Sequence, residues 1–112
     1  MMDDKLIQIE LYEEPGGNCP YEKWFDGLKD RKGEFVISNR LNRVMLGNFG
    51  DHKSVGRGVY ELRIAYGSGY RVYFGMEGKR LVILLVGGDK GTQARDIKKA
   101  QQYWEQYKES IL

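Results

Sequence analysis

The chain has 112 residues, of which 41% are hydrophobic and 30% charged, a composition that predicts one globular domain over residues 1–112 and excludes a disordered chain. A single cysteine, Cys19, and a single histidine, His52, exclude an internal disulfide framework and a structural Cys/His zinc site. The longest apolar run, 81–86, is too short to span a membrane, and the residues up to Leu6 hold no secretion signal, so we expect a cytoplasmic protein.

The first half of the chain predicts one strand followed by two helices. Apolar residues alternate in the strand and recur at i, i+3, i+4 and i+7 in the helices, while glycine and proline fill the loop after the strand. Arg40 and Arg43 lie off the apolar side of the second helix, and Gly47 follows its end. The predicted ranges are 5–12 for the strand and 21–28 and 34–46 for the helices.

The second half changes to the two-residue period of strands. A run that is apolar on both faces predicts a buried strand near the end of the chain. Thr92 caps a final amphipathic helix, which extends to about Lys108 and carries Trp104 on its apolar side. The predicted strands are His52–Gly56, 59–66, 70–76 and the buried strand at 80–86.

The order of these elements predicts an α+β fold. An N-terminal strand and a helical hairpin pack on a small antiparallel sheet, and a C-terminal helix completes the domain. We expect the helices to cover the apolar face of the sheet, so that its other face is exposed to solvent.

Charge is distributed unevenly along the chain. Residues 1–30 carry eight acidic side chains and three lysines, a net charge of −5, whereas residues 31–112 carry a net charge of +7. A basic region suits a polyanion, because neutralised phosphates supply most sequence-independent affinity for nucleic acids. The alternative is that these charges only solvate the faces of ordinary helices and strands.

Two arginines emerge on the same predicted face of the sheet. Arg63 and Arg71 each lie opposite the apolar residues of their own strand, so both point away from the core, with Glu61 and Tyr73 beside them. Two guanidinium groups and an aromatic ring suit phosphate contacts and base stacking. The alternative is an exposed face whose arginines pair with Glu61 and keep the protein soluble.

A glycine-rich turn over 87–93 follows the buried strand. Its glycines allow a ligand to approach the backbone, and Lys90 lies near a helix N-terminus, which favours anions. The alternative is a plain strand-to-helix turn capped by Thr92. The spacing excludes a P-loop.

Several short motifs follow one another in the second half of the chain. They are Arg40-Leu41, GNFGD at 47–51, GRGVYELRI at 56–64, GYRVYF at 69–74, LLVGGDKGTQ at 84–93, Asp96-Ile97 and Ala100. In this order they resemble the addiction-module killer proteins of the RelE/HigB/ParE superfamily of toxin–antitoxin systems. The similarity covers roughly residues 20–107 and implies the same α+β fold.

The resemblance implies a toxin whose partner is a DNA-binding antitoxin, often encoded beside it. HigB- and RelE-like members cleave mRNA in the ribosomal A site by attack of a 2′-OH on the phosphodiester, with no cofactor or metal, whereas ParE-like members poison DNA gyrase. An inactive relative that keeps only the antitoxin interface is a third alternative. The C-terminal helix and the acidic N-terminal region are both candidates for that interface, and both a homo-oligomer and a toxin–antitoxin hetero-oligomer stay open.

The resemblance also implies roles for individual residues. Arg71 matches an arginine that stabilises the transition state, Arg63 matches a basic residue that handles proton transfer or phosphate charge, and Lys90 takes the place of a basic residue at the end of the last strand. Glu61 replaces a basic residue, and either Glu61 or His52 is the candidate base. Because an exposed arginine contributes little to stability, Arg71→Ala is predicted to abolish toxicity and leave the fold intact. The complete predicted site comprises the catalytic Arg63, Arg71, Lys90 and Glu61 and the RNA-binding Tyr73, Arg57, Lys53 and Gln93.

Overall fold

The computed structural model describes residues 6–112, in which three α-helices pack on a five-stranded sheet. Residues 1–5, which include the predicted start of the first strand at Lys5 and most of the segment examined for a secretion signal, lie outside this described part. The strands are β1 (Gln8–Leu11), β2 (His52–Gly56), β3 (Val59–Ile64), β4 (Tyr70–Glu77) and β5 (Leu81–Gly88). The helices are α1 (Pro20–Asp26), α2 (Arg31–Met45) and α3 (Gln93–Ser110), and a 3₁₀ turn over Lys90–Thr92 precedes α3.

The sheet is mixed, with the strand order β1-β5-β4-β3-β2. Strands β2 to β5 form the predicted antiparallel meander, and the predicted α+β class is confirmed. The N-terminal strand departs from the prediction, because β1 pairs parallel to β5. Parallel neighbouring strands need a long connection, and here helices α1 and α2 and strands β2 to β4 lie between β1 and β5 along the chain.

Hydrophobic cores lie on both faces of the sheet. The first core contains Ile37 of α2 with Leu62, and the second contains Trp104 of α3 with Tyr73 and Leu85. The prediction that one face is left to solvent is therefore wrong, because α3 packs on the face opposite α1 and α2. Strand β5 is buried between the two helical layers, in agreement with its apolar residues on both faces.

Helix α2 begins three residues earlier than predicted, because Asp30 caps it. The Asp30 carboxylate accepts a hydrogen bond from the Gly33 N–H at 2.9 Å. The Tyr70 hydroxyl donates to the same carboxylate at 2.6 Å, and this bond, followed by the one from Gly33, holds the pKa of Asp30 below its ordinary value. The cap thus ties the start of α2 to β4.

The other predicted helices and the strands β2 to β5 are confirmed, with ends that differ by no more than two residues. Trp24 and Trp104, which the spacing placed on apolar helix faces, both pack in the cores. No helix within residues 6–112 is both long enough and apolar enough to cross a membrane.

Gly75→Ala is expected to destabilise the protein by about 1–3 kcal/mol, because a Cβ at this position would overlap the Trp104 ring through which α3 packs on the sheet. Gly16→Ala is the matched control, since its added Cβ would meet no atom within 4 Å. Urea unfolding of both variants measures the difference. Equal midpoints for Gly75→Ala and the wild type would contradict the packing of α3 described here.

Candidate active site

Arg63 of β3 and Arg71 of β4 are directly opposite each other in the antiparallel register. Both side chains lie on the same face as Glu61 and Tyr73, as the alternation of the strands predicts. The two arginines line an open cleft of about 330 Å³ at the end of the β3–β4 hairpin, together with Asp51. Two guanidinium groups therefore border one depression of a size that accepts a small anionic group.

Arg71 is held in place by a buried carboxylate. Its Nη1 donates to Glu61 Oε1 at 3.0 Å, and only 13% of the Arg71 side chain and none of the Glu61 side chain is exposed. Glu61 Oε2 accepts two further bonds, from the Tyr73 hydroxyl at 3.0 Å and from Gln93 Nε2 at 2.8 Å. Three donors from β4 and α3 thus compensate the buried charge and fix its orientation.

The prediction that Glu61 and Tyr73 lie on a solvent-exposed face is wrong. Both side chains are completely buried, because the start of α3 covers this part of the sheet. Burial, followed by the hydrogen bond to Glu61, raises the pKa of the Tyr73 hydroxyl far above its ordinary value, so the hydroxyl stays a donor. Tyr73 cannot stack on an RNA base from this position, and Glu61 cannot reach a 2′-OH as a base.

Arg63 is more accessible than Arg71 and has a different partner. Its Nε and Nη2 donate to Asp51 Oδ1 at 3.2 and 3.0 Å, and 39% of the Arg63 side chain and 60% of the Asp51 side chain are exposed. Ion pairs this exposed contribute about 0–1 kcal/mol, so an incoming phosphate can compete for the guanidinium. The cleft therefore has one immobilised cation and one that can exchange its partner.

A third arginine organises the backbone around the cleft. The Arg40 guanidinium donates to the carbonyl oxygens of Phe49 at 2.8 Å and Asp51 at 2.9 Å, and also to the carbonyl oxygen of Arg63. Arg40 is therefore buried, which corrects the prediction that it lies off the packed side of α2. Backbone acceptors replace the water that its two Nη groups lose on burial, whereas its Nε has no hydrogen-bond partner within residues 6–112. Through them α2 positions both members of the Asp51–Arg63 pair.

Lys90 and Gln93 lie at the same end of the sheet as the two arginines. Gly88 pairs in register with Arg71, and the exposed Lys90 follows two residues later, next to the β3–β4 turn. Gln93 donates to Glu61, so it acts on the arginine through the carboxylate. The turn between them is capped by Asp89, whose carboxylate accepts from two backbone N–H groups, whereas the Thr92 side chain does not cap α3 as predicted.

Lys53 borders the site, and Arg57 does not belong to it. Lys53 pairs with Glu61 in register on the edge strand β2, which puts it diagonal to Arg63 on the same face. Arg57 lies in the β2–β3 turn with a φ of 57°, and the strand from Val59, after this turn, to Arg63 spans about 13 Å. The predicted contact of Arg57 with the same RNA segment is therefore not supported.

His52 faces away from the cleft. It pairs in register with Leu62, a residue of the first core, so its side chain lies on the opposite face from the arginines. Its Nδ1 is 2.9 Å from the Gly50 carbonyl oxygen, and its ring centroid is 5.3 Å from that of Phe49. The strand alternation thus excludes the proposed role of His52 as a base in this cleft.

Asp51 is the functional candidate that the sequence reasoning missed. It lines the cleft beside Arg63, and more than half of its side chain is exposed. A signal was present, because Asp51 closes the GNFGD motif. Its position depends on Arg40, which fixes the loop before β2 through the carbonyl oxygens of Phe49 and Asp51.

Comparison with known proteins identifies relatives over most of the chain. The family model described as phage-derived protein Gp49-like (DUF891) matches residues 23–105, a range that contains all the arginines, Asp51 and Gln93 of the site. An uncharacterized protein of Haemophilus influenzae is 49% identical over 81 residues, which are 72% of this chain and 82% of the relative.

Arg71→Ala is expected to destabilise the protein by about 3–5 kcal/mol, because it leaves the Glu61 charge buried without its cation. This replaces the prediction that the fold stays intact. Arg63→Ala, which removes an exposed pair, is the matched control and is expected to cost about 0–1 kcal/mol. Urea unfolding at neutral pH measures both.

Replacing both partners, as Arg71→Met with Glu61→Gln, is expected to recover part of the lost stability, because no unpaired charge is left in the interior. Equal unfolding midpoints for Arg71→Ala and Arg63→Ala would show that the Glu61–Arg71 pair is not buried as described.

Proposed function

This chain belongs to the family of phage-derived Gp49-like proteins, and from that membership and the geometry of the cleft we propose that it is the toxin of a toxin–antitoxin system and cleaves mRNA on the ribosome. The Gp49-like family is associated with toxin–antitoxin-type proteins. The observation that carries the nuclease assignment is the pair Arg63 and Arg71, which are opposite in register and line one cleft. The reaction takes place in the cytoplasm, where message and ribosomes are available.

The proposed reaction is an internal transesterification of RNA. The 2′-oxygen attacks the adjacent phosphorus, the bond from phosphorus to the 5′-oxygen breaks, and the products are a 2′,3′-cyclic phosphate and a free 5′-hydroxyl. Negative charge builds up on the phosphoryl oxygens in the transition state. Arg71 is fixed in advance by Glu61 and stabilises this charge without reorganisation. Arg63 adds a second cation when it exchanges the exposed Asp51 for the phosphate.

The proton transfers are assigned to exposed groups at the same end of the sheet. Asp51 is a carboxylate that lines the cleft, so it accepts the proton of the 2′-OH when Arg63 moves to the phosphate. Lys90 is an exposed ammonium next to the β3–β4 turn and donates a proton to the departing 5′-oxygen. These roles replace Glu61 and His52, which the fold removes from the cleft.

We further propose that the partner of this toxin is a protein antitoxin that docks on the acidic side of the molecule. An apolar groove of about 290 Å³ runs between β1 and the two N-terminal helices. Leu11 and Met45, which line it, are 41% and 39% exposed. Glu22 and Asp26 are exposed on α1, whose Tyr21 and Phe25 line the groove, and they outnumber the exposed Lys23 of the same helix. Their net negative charge complements a basic segment of the antitoxin. The apolar residues lining the groove include Ile9, Leu11, Tyr21, Phe25, Leu41 and Met45.

Arg63→Ala is expected to lower the rate of mRNA cleavage by about 10²–10³-fold, because it removes one of the two cations that stabilise the transition state. Arg57→Ala, which changes an arginine outside the cleft, is the control and is expected to keep wild-type activity. Brief induction in a bacterium, followed by mapping of RNA 5′ ends, measures both. Growth arrest by the wild type with intact message and double-strand DNA breaks would instead identify a gyrase poison.

Leu11→Asp combined with Met45→Asp is expected to prevent neutralisation by the antitoxin encoded beside the toxin, because two carboxylates would enter the apolar groove. Toxicity in the absence of the antitoxin should be unchanged. Gln102→Asp on the exposed side of α3 is the control and should still be neutralised. Full rescue of growth by the antitoxin in the double variant would place the interface elsewhere.

A further inference from the structure

A second groove continues from the cleft of Arg63 and Arg71 onto helix α2. Its volume is about 530 Å³, within the usual range of ligand sites. Ile64 and Ala65 line both this groove and the smaller cleft, so the two depressions adjoin at the end of β3. A ligand that occupies the cleft can therefore extend into the groove, which we call the α2 groove.

The walls of the α2 groove combine apolar surface with amide groups. Asn39 and Asn42 are exposed on α2, and each amide offers one acceptor and two donors. Amides of this kind pair with the edges of nucleobases, whose flat faces need apolar or guanidinium surface. The groove supplies that surface as well. Its principal lining residues are Val36, Asn39, Asn42, Arg43, Leu46 and Ile64.

The charge of α2 favours RNA as the occupant. The helix carries four lysine and arginine residues and only one acidic residue, Glu34. Arg43 is exposed at the groove, where its guanidinium can contact a phosphate or stack on a base. The apolar groove beside α1 also contains Asn42, so the two grooves adjoin across α2, but Arg43 lines the α2 groove and not the apolar one.

We propose that the α2 groove binds the unpaired base next to the scissile phosphodiester and reads its edge through Asn39 and Asn42. The inference rests on the proposed function, because the phosphate held by Arg63 and Arg71 determines which nucleotide reaches the groove. Phosphate contacts in the cleft provide affinity and catalysis, and the amides of Asn39 and Asn42 provide sequence specificity. The two roles are thus separated along one continuous surface.

The test compares cleavage patterns of the wild type and of Asn39→Ala combined with Asn42→Ala, by mapping RNA 5′ ends after brief induction. The wild type is expected to prefer particular bases at one position beside the cut. The double variant is expected to cut the same messages with this preference reduced about tenfold, since base contacts and not phosphate contacts are lost. Gln102→Ala, an exposed amide on α3, is the matched control and should keep the wild-type pattern.

Three results would overturn the inference. Unchanged base frequencies beside the cuts in the double variant would show that the amides do not read the sequence. Loss of all cleavage, with a wild-type urea midpoint, would make the groove part of the catalytic machinery. Because Asn42 also lines the apolar groove, Asn39→Ala alone is compared for neutralisation, and its escape from the antitoxin with an unchanged cutting pattern would assign the α2 groove to a protein. Absence of new RNA ends with the wild type is a different result, because it would contradict the proposed function itself.

Discussion

The buried carboxylate of Glu61 is the constraint on which the rest of the site depends. A charge with no access to solvent needs full compensation, and here a guanidinium, a phenol and an amide provide it. Arg71 and Tyr73 come from β4, and Gln93 comes from the first turn of α3. The docking of α3 on the second face of the sheet and the orientation of Arg71 are therefore linked through the Glu61 carboxylate.

The two arginines of the cleft have different roles because their partners differ. The ion pair with the buried Glu61 immobilises the Arg71 side chain, so the position of its charge is fixed before a ligand binds. Arg63 has an exposed and weakly held partner, Asp51, which a phosphate can replace. Arg40 binds the backbone carbonyl oxygens of both Asp51 and Arg63, so the backbone positions of this exchangeable pair are fixed as well. This combination suits transition-state stabilisation, since most of the reorganisation has taken place during folding.

Strand alternation predicted the most important geometric relation in the site. It put Arg63 and Arg71 on one face, and the register agrees because the side-chain period of a strand is two whatever the turn between strands. It did not predict the burial of Glu61 and Tyr73, because alternation shows on which face of the sheet a side chain lies and not whether another element covers that face. The apolar residues on both faces of β5 did indicate a second layer, and α3 is that layer. The burial of Arg40 had no such signal, since its carbonyl acceptors come from a loop and a strand end that are distant in the sequence.

In the proposed reaction the fixed Arg71 and the exchangeable Arg63 hold one phosphate between them. The most direct measurement is a crystal structure of the protein with an oligoribonucleotide whose attacking 2′-oxygen is methylated, so that cleavage is blocked. The scissile phosphate is expected about 3 Å from both guanidinium groups, with Arg71 still bonded to Glu61 and Asp51 released from Arg63. A phosphate bound away from this cleft, or an Arg71 that turns from Glu61 into solvent, would contradict it.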